Sequence, residues 1–488
     1  MEKDNNVIGE ASKSKIKNDA DNSMIAKFFG FSRLNTSLKK EIIGGVSTFL
    51  AMVYILSVEP SILSSAVSVS EGKANMSISG LFLATAFISF LSTFIMGISA
   101  NVPIAVAPSM GLNAMFTYSV AANGIGYEGA LFATLISGVL FCIITITKVR
   151  TMLIKALPKS LHLAIGIGIG FFIAYVGITN MGWVKTLGGL PVADLNNFKM
   201  FYPAIILGTL VLFGAILLHY KKFVAPIALM MVIGFVIAVI LANTIKNSEA
   251  ITNSFGNSVF DKKDWNYKDL WSGFTFNIKS TFDEIGNVKI WKNPTMYIST
   301  FVFTILTFFD ATGTLTLVSN EINRNIKDPK EIPDSAMLID GSSSIIGSLI
   351  GVSHTAAYSE SCVGISQGAR TGFASIITSI GFLISILLFP IFKMMPDTIS
   401  GAATVFIGII MIGNITEIEW KKPEISLSAF FTILFMIITY NIAVGVGMGL
   451  ITYTLGCIGN KKAKEVHPVI WVLSILFIGY FVAFAFIQ

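Results

Sequence analysis

Val352-Ser-His-Thr-Ala-Ala-Tyr-Ser-Glu-Ser-Cys-Val-Gly-Ile-Ser-Gln-Gly-Ala-Arg-Thr-Gly372 lies between long hydrophobic runs. It nevertheless carries hydroxyls, a histidine, the carboxylate of Glu360 and two glycines ahead of Arg370. No apolar face is sustained along it. Polar, glycine-broken backbone at membrane depth survives only where protein or a water-filled cavity covers it. A carboxylate at the bilayer centre costs about 2.5–3.5 kcal/mol on insertion scales. Glu360 therefore marks this stretch as one half of a substrate site.

The rest of the chain supplies the membrane. Of 488 residues, 53% are hydrophobic and only 13% charged, and the mean hydropathy is +0.74. Soluble domains carry about 25% charged residues, so the composition excludes a soluble protein and predicts an all-α polytopic membrane protein. Cys142, Cys362 and Cys457 sit unpaired in apolar or small-residue runs, which argues for packing and against a disulfide framework or a metal site. The net charge of +6 comes largely from short basic loops, which report orientation and not nucleic-acid binding. Met1 to Asn22 are polar with no apolar core of a signal peptide, so residues 1–25 read as a disordered cytoplasmic tail.

Runs near the roughly 20 residues that span a bilayer cover 42–66, 80–99, a broken run at 102–121, 129–147, 161–184, 202–219 and 224–242. After a polar stretch come 299–318, 336–352, the opening stretch, 373–392, 398–415, 426–440 and 443–458, with a further run at 468–487. Lys148, Arg150, Lys155, Lys159, Lys221, Lys222, Arg324, Lys327, Lys330, Lys421 and Lys422 fall on the side of the basic N-terminus. The positive-inside rule makes that side cytoplasmic and puts the 243–298 segment outside. Lys461, Lys462 and Lys464 join them only if 426–458 crosses twice as a hairpin.

The two halves repeat. Pro158-Lys-Ser-Leu-His-Leu-Ala-Ile-Gly-Ile-Gly168 has a counterpart beginning at Pro396-Asp-Thr-Ile-Ser-Gly, and Val102-Pro-Ile-Ala-Val-Ala-Pro-Ser-Met110 aligns with Val352-Ser-His-Thr-Ala-Ala-Tyr-Ser-Glu360. Seven spans per half, an odd number, invert the second half relative to the first. The expected fold is a 7+7 inverted-repeat transporter of about fourteen segments, the third and tenth broken by short strands. Those strands, 102–107 and 352–357, are expected to pair. Short helices starting near Pro108 and Tyr358 then offer free backbone N–H groups to a ligand.

Several side chains inside these spans could carry chemistry. Asn113 has an amide that both donates and accepts. Asp310 sits in an apolar span and shares a helix face with Gly313, Thr314 and Leu317; an acid there is a functional candidate by default. Tyr358, two residues before Glu360, could stack on a flat ligand whose N–H edge the carboxylate reads. His354 reads better as a structural donor than as a titrating group. Glu59, before Pro60, reads as interfacial and solvated, and Gly166, Gly168 and Gly170 as packing residues. Asp328, Glu331 and Asp334 alternate with lysines, as in a solvated loop.

Gly111-Leu-Asn-Ala114, Asp310-Ala-Thr-Gly-Thr-Leu315 and Glu360-Ser through Gly368-Ala-Arg-Thr-Gly372 resemble the AzgA-like hypoxanthine/guanine/adenine permeases. That branch belongs to the xanthine–uracil permease (nucleobase–cation symporter) superfamily, and the resemblance runs from about Ala26 to the C-terminus. It implies a core domain (26–160 and 299–396) moving against a gate domain (161–245 and 397–488), with 246–298 an extracellular loop. It further implies that Asp310 and Glu360 bind a purine base and couple it to a proton, or to sodium in its place. Asn113, Tyr358, Met110, Gly111 and Ser361 complete the expected substrate-binding set. Ser359, Cys362 and Gln367 replace residues that are usually apolar, small and acidic, and Glu59 stands where asparagine is usual. The expected setting is the inner (plasma) membrane, with no cofactor and with room for a homodimer. An anion or sulfate transporter of the same architecture would want a cation in the site, and only Arg370 is a candidate. A membrane enzyme would need a metal or nucleophile constellation, and the four histidines lie far apart.

Overall fold

The computed structural model describes residues 24–69, 76–121, 125–147, 158–187, 190–193, 195–245, 248–258, 267–284, 288–323, 332–439 and 441–487. Most of the expected tail and of the 324–331 loop, with Asp328 and Glu331, therefore lies outside the described residues. A short helix over Met24–Phe29 already begins where the tail was expected to end.

The first hydrophobic run splits at residues 53–54 into α1 (Leu38–Met52) and α2 (Ile55–Val69). α3 (Ile78–Ile95) runs on through a π-helical turn, and β1 (Val106–Pro108) leads into α4 (Met110–Ala114), itself prolonged by a π-helical stretch over Met115–Val120. α5 (Gly126–Ile146) and α6 (Lys159–Asn180) precede a hairpin of β2 (Val184–Leu187) and β3 (Leu190–Ala193). α7 (Leu195–Tyr220) and α8 (Pro226–Thr244) close the first half. The 243–298 segment is helical where described, with α9 (Tyr267–Glu284) its longest piece. Then come α10 (Pro294–Asn323), α11 (Asp334–Leu349), β4 (Thr355–Ala357), α12 (Ser361–Ser366) and α13 (Gly372–Ser385). α14 (Asp397–Ile412), α15 (Pro423–Ile438), α16 (Ile442–Gly459) and α17 (Pro468–Ile487) end the chain.

Ten helices among the described residues are long and apolar enough to cross a bilayer, and two shorter apolar ones cover Pro423–Ile438 and Pro468–Val482. The chain is a multi-pass membrane protein. Its outward surface fits that solvent: Ile206, Leu210, Phe213 and Leu217 of α7 and Val232, Val236 and Ile240 of α8 are all exposed. Such apolar faces are stable only in contact with lipid.

Packing divides the helices into two groups. α5 lies against α10 and α11, and α13 against α1 and α3; α6 lies along α14 and α15, and α7 and α8 pack on each other and on α14. The α6–α14 crossing is glycine on glycine. A Cβ at Gly177 would stand 2.7 Å from the Gly401 carbonyl oxygen, and one at Gly401 would stand 2.8 Å from that of Gly177. Helices approach this closely only through residues without side chains. Gly170 meets Gly408 in the same way, whereas Gly166 faces open space. Pro158 and Pro396, the prolines that open the repeat, stand at the N-caps of these two helices. At the C-terminal end α15 and α16 pack along each other, and α17 packs on α16.

Candidate substrate site

The centre of the molecule is a crossing of two very short strands. β1 and β4 pair antiparallel, with Val106 opposite Ala357, Ala107 opposite Ala356 and Pro108 opposite Thr355. The pairing is shorter than the runs read from sequence, and it continues by Ser109 N to His354 O (2.8 Å) and Tyr358 N to Ala105 O (2.9 Å). Three-residue strands leave edge groups that no water can satisfy at this depth. Hydroxyls from neighbouring helices do so instead. Thr93 of α3 accepts from Val106 N and donates to Val106 O, both at 3.0 Å. Ser344 of α11 does the same for Thr355 of β4, at 3.1 and 3.0 Å. Equivalent helices thus cap equivalent strands.

A helix follows each strand: α4 starts at Met110 and α12 at Ser361, two to three residues later than the sequence implied. Glu360 is the residue that opens α12. Its Oε1 accepts from the Tyr54 hydroxyl at 2.8 Å and its Oε2 from the Ser359 hydroxyl at 3.1 Å. Asp310 of α10 comes to the other side of the crossing, where the Ser109 hydroxyl donates to Oδ2 at 3.1 Å. Tyr358 is buried and its hydroxyl donates to the Pro108 carbonyl, bolting one strand to the other. The crossing faces α6, since Gly111 abuts Ile169 and Gly313 abuts His162.

Other expected site residues are built into the frame. Asn113 is fully buried, its amide bonded to Glu59 and Ser353. The Ser361 hydroxyl accepts from Ala105 N at 3.0 Å. His354 bonds Ser137 through Nε2 at 3.1 Å and sets its ring edge-on to Phe303; that is a structural arrangement. Glu59 requires a correction. It is not interfacial and solvated but fully buried, because the break before α2 aims it at Asn113 and Ser353, which offer it hydrogen bonds.

Three residues were missed by sequence reasoning. Tyr54 has no local signal, since a tyrosine in an apolar span reads as packing. Asp340 of α11 is fully buried; an acid inside the 336–352 run was the signal for it. Glu41 of α1 accepts from the backbone N–H groups of Arg370, Thr371 and Ala374 and from Thr36 Oγ1, and it was lost among the charges before the first span.

The xanthine/uracil permease model, described as Permease family, matches residues 39–448. The guanine/hypoxanthine permease PbuG of Bacillus subtilis is 33% identical over 467 residues, covering 93% of this chain and 99% of PbuG. The adenine permease AdeP of Escherichia coli is 29% identical, covering 93% and 95%. Among solved structures, the transmembrane domain of the cyanobacterial bicarbonate transporter BicA is similar at a TM-score of 0.56 and 15% identity, over 85% of this chain and 97% of that one. That last likeness is one of fold.

Proposed function

This chain belongs to the Permease family, and on that premise we propose that it is a secondary active transporter importing purine nucleobases. Hypoxanthine, guanine and adenine are the substrates, in keeping with the activities named for PbuG and AdeP. The observation that carries the reading is the pair of carboxyls, Asp310 and Glu360, set on either side of the β1–β4 crossing. A purine edge presents ring N–H and exocyclic NH₂ donors, which a carboxylate accepts in pairs. Glu360 is the main base ligand. Asp310 is the second ligand and the proton carrier, because two acids in one low-dielectric site do not both stay ionised. Proton and base then favour each other's binding, which is what symport requires.

Met110 and Gly111 line the start of α4, Tyr358 borders the base, and Asn113 and Ser361 hold the two half-helices in place. Fourteen segments in two inverted sets of seven form a core (26–160 and 299–396) and a gate (161–245 and 397–488), with 246–298 outside. The two packing groups of helices support that division. The N-terminus is cytoplasmic and the membrane is the inner (plasma) membrane. The coupling ion is the proton, with sodium as the alternative, and a homodimer is the proposed assembly. The fold likeness to a bicarbonate transporter is the one point in favour of an anion carrier, and two acids at the crossing oppose it.

The test is uptake of labelled hypoxanthine, guanine and adenine in cells lacking their own purine transport, with and without a protonophore. Uptake that collapses with the proton gradient, and is lost in Glu360→Gln and Asp310→Asn, is expected. Failure of every purine to enter or compete would overturn the reading.

A further inference from the structure

Glu59 on α2 is 0% exposed, and the described partners of its carboxyl are Asn113 of α4 and Ser353, just ahead of β4. Asn113 Nδ2 donates to Glu59 Oε2, the Ser353 hydroxyl bonds Asn113 Oδ1, and Ser353 Oγ stands 3.5 Å from Glu59 Oε1. Three side chains from three parts of the chain therefore close a ring.

The hydrogens in that ring can be counted. The Asn113 amide supplies the one directed at Oε2. The single hydrogen of Ser353 goes to Asn113 Oδ1, which has none of its own. The remaining link joins two oxygens, Ser353 Oγ and Glu59 Oε1, and holds a hydrogen only if Glu59 brings it. As a carboxylic acid Glu59 completes the ring with each of these donors matched to an acceptor. As a carboxylate it leaves two lone pairs facing each other and a full charge with only an amide and a hydroxyl beside it, which a dry interior penalises heavily. Among the described residues, the titratable groups whose electrostatics couple to it are Tyr127 of α5 and Tyr358, and neither is cationic. Their hydroxyls are already given to the carbonyls of Gly351 and Pro108.

We propose that Glu59 is a proton-binding site, a third membrane carboxyl beside Asp310 and Glu360, whose proton leaves and returns during transport. The acid form closes the ring and ties α2 to α4 and to the approach to β4. Deprotonation, Glu59–COOH giving carboxylate and a proton released to the aqueous phase, opens the Ser353 link and frees α2 from the approach to β4. Proton occupancy at Glu59 thereby sets whether α2 holds the approach to β4, while its bond from Asn113 of α4 persists. The equilibrium part stands on geometry alone; the transport part rests on the proposed function.

Two measurements test it. Infrared difference spectra of the full chain in lipid should contain a protonated-carboxyl C=O band at neutral pH. A component of that band should vanish in Glu59→Gln and persist in an Asp310→Asn/Glu360→Gln double variant. Absence of a Glu59-dependent band overturns the proposal, whether or not purines are transported. Glutamine completes the same ring through its own NH₂, so Glu59→Gln should fold and exchange purine for purine in proteoliposomes. Its proton-driven accumulation and its protons per purine should both fall below wild type, leaving the coupling at Asp310. Wild-type accumulation and wild-type proton stoichiometry in Glu59→Gln would overturn the moving proton.

Discussion

The Tyr54 hydroxyl donates to Glu360 Oε1 across 2.8 Å, joining the start of α2 to the start of α12. Tyr54 is 1% exposed, so its ring cannot swing away to water. The bond holds the carboxyl in one orientation before any ligand arrives, and preorganisation of this kind lowers the cost of binding. A hydrogen bond to a charged group contributes about 1.5–3 kcal/mol, or roughly 10- to 100-fold in affinity. Tyr54→Phe removes only that bond. Purine Kd in the purified protein should rise by roughly that factor, with thermal stability close to wild type. An unchanged Kd would mean that Glu360 is oriented by something else.

Ser359 acts on the other oxygen and in the opposite sense. Its exposed hydroxyl donates to Glu360 Oε2 at 3.1 Å, the oxygen a purine N–H would use. Ligand and hydroxyl compete for the same lone pairs. Ser359→Ala should therefore leave purine affinity equal or raise it by a factor of a few, on the order of the 0.5–1.5 kcal/mol net value of one exchanged hydrogen bond. Competition curves with hypoxanthine and adenine measure it. A large loss of affinity would place Ser359 among the ligands of the base.

What was legible in the sequence was what is expensive in lipid. Glu360 and Asp310 stood out because an acid in an apolar run needs a reason, and the strand crossing stood out because Val352–Gly372 could not be a lipid-facing helix. The long spans followed from hydropathy alone. Tyr54 was not legible because its meaning lies in a partner 306 residues away. Glu59 was misjudged for the same reason: position near a span end says interface, and only the meeting with Asn113 and Ser353 says interior. Strand boundaries slipped by a few residues because backbone partners, not side-chain pattern, decide where a two-stranded ribbon starts.

Glu41 lies on α1 and serves as the N-terminal cap of another helix. The first N–H groups of α13 have no partner within their own helix, and Glu41 accepts from Arg370 N at 2.8 Å, Thr371 N at 3.2 Å and Ala374 N at 3.2 Å. Removing the acceptor strands several buried donors, each at about 1–3 kcal/mol. Glu41→Ala should lower the thermal unfolding midpoint in detergent markedly, while Glu41→Gln, which keeps one acceptor oxygen, should lower it less. Equal midpoints for the two variants would show that the carboxyl does not cap α13.

Among the contacts between the two packing groups, Ser57 Oγ of α2 and Ser400 Oγ of α14 lie 2.7 Å apart. Nearby, the Ser61 hydroxyl donates to Asp397 Oδ1 at 3.3 Å along the same pair of helices. Alternating access by movement of a core against a gate requires that such contacts part in every cycle. Side chains this close can be joined by a disulfide with little backbone movement. Ser57→Cys/Ser400→Cys, in a chain with Cys142, Cys362 and Cys457 replaced, should cross-link on mild oxidation and lose uptake in step with the cross-linked fraction. A reductant should restore uptake, and either single cysteine variant should be indifferent to both treatments. Purine binding to the detergent-solubilised, cross-linked protein should persist, because one access state is locked and the ligands at the crossing are untouched. Full cross-linking with undiminished uptake would show that α2 and α14 travel together, and that the moving boundary runs elsewhere.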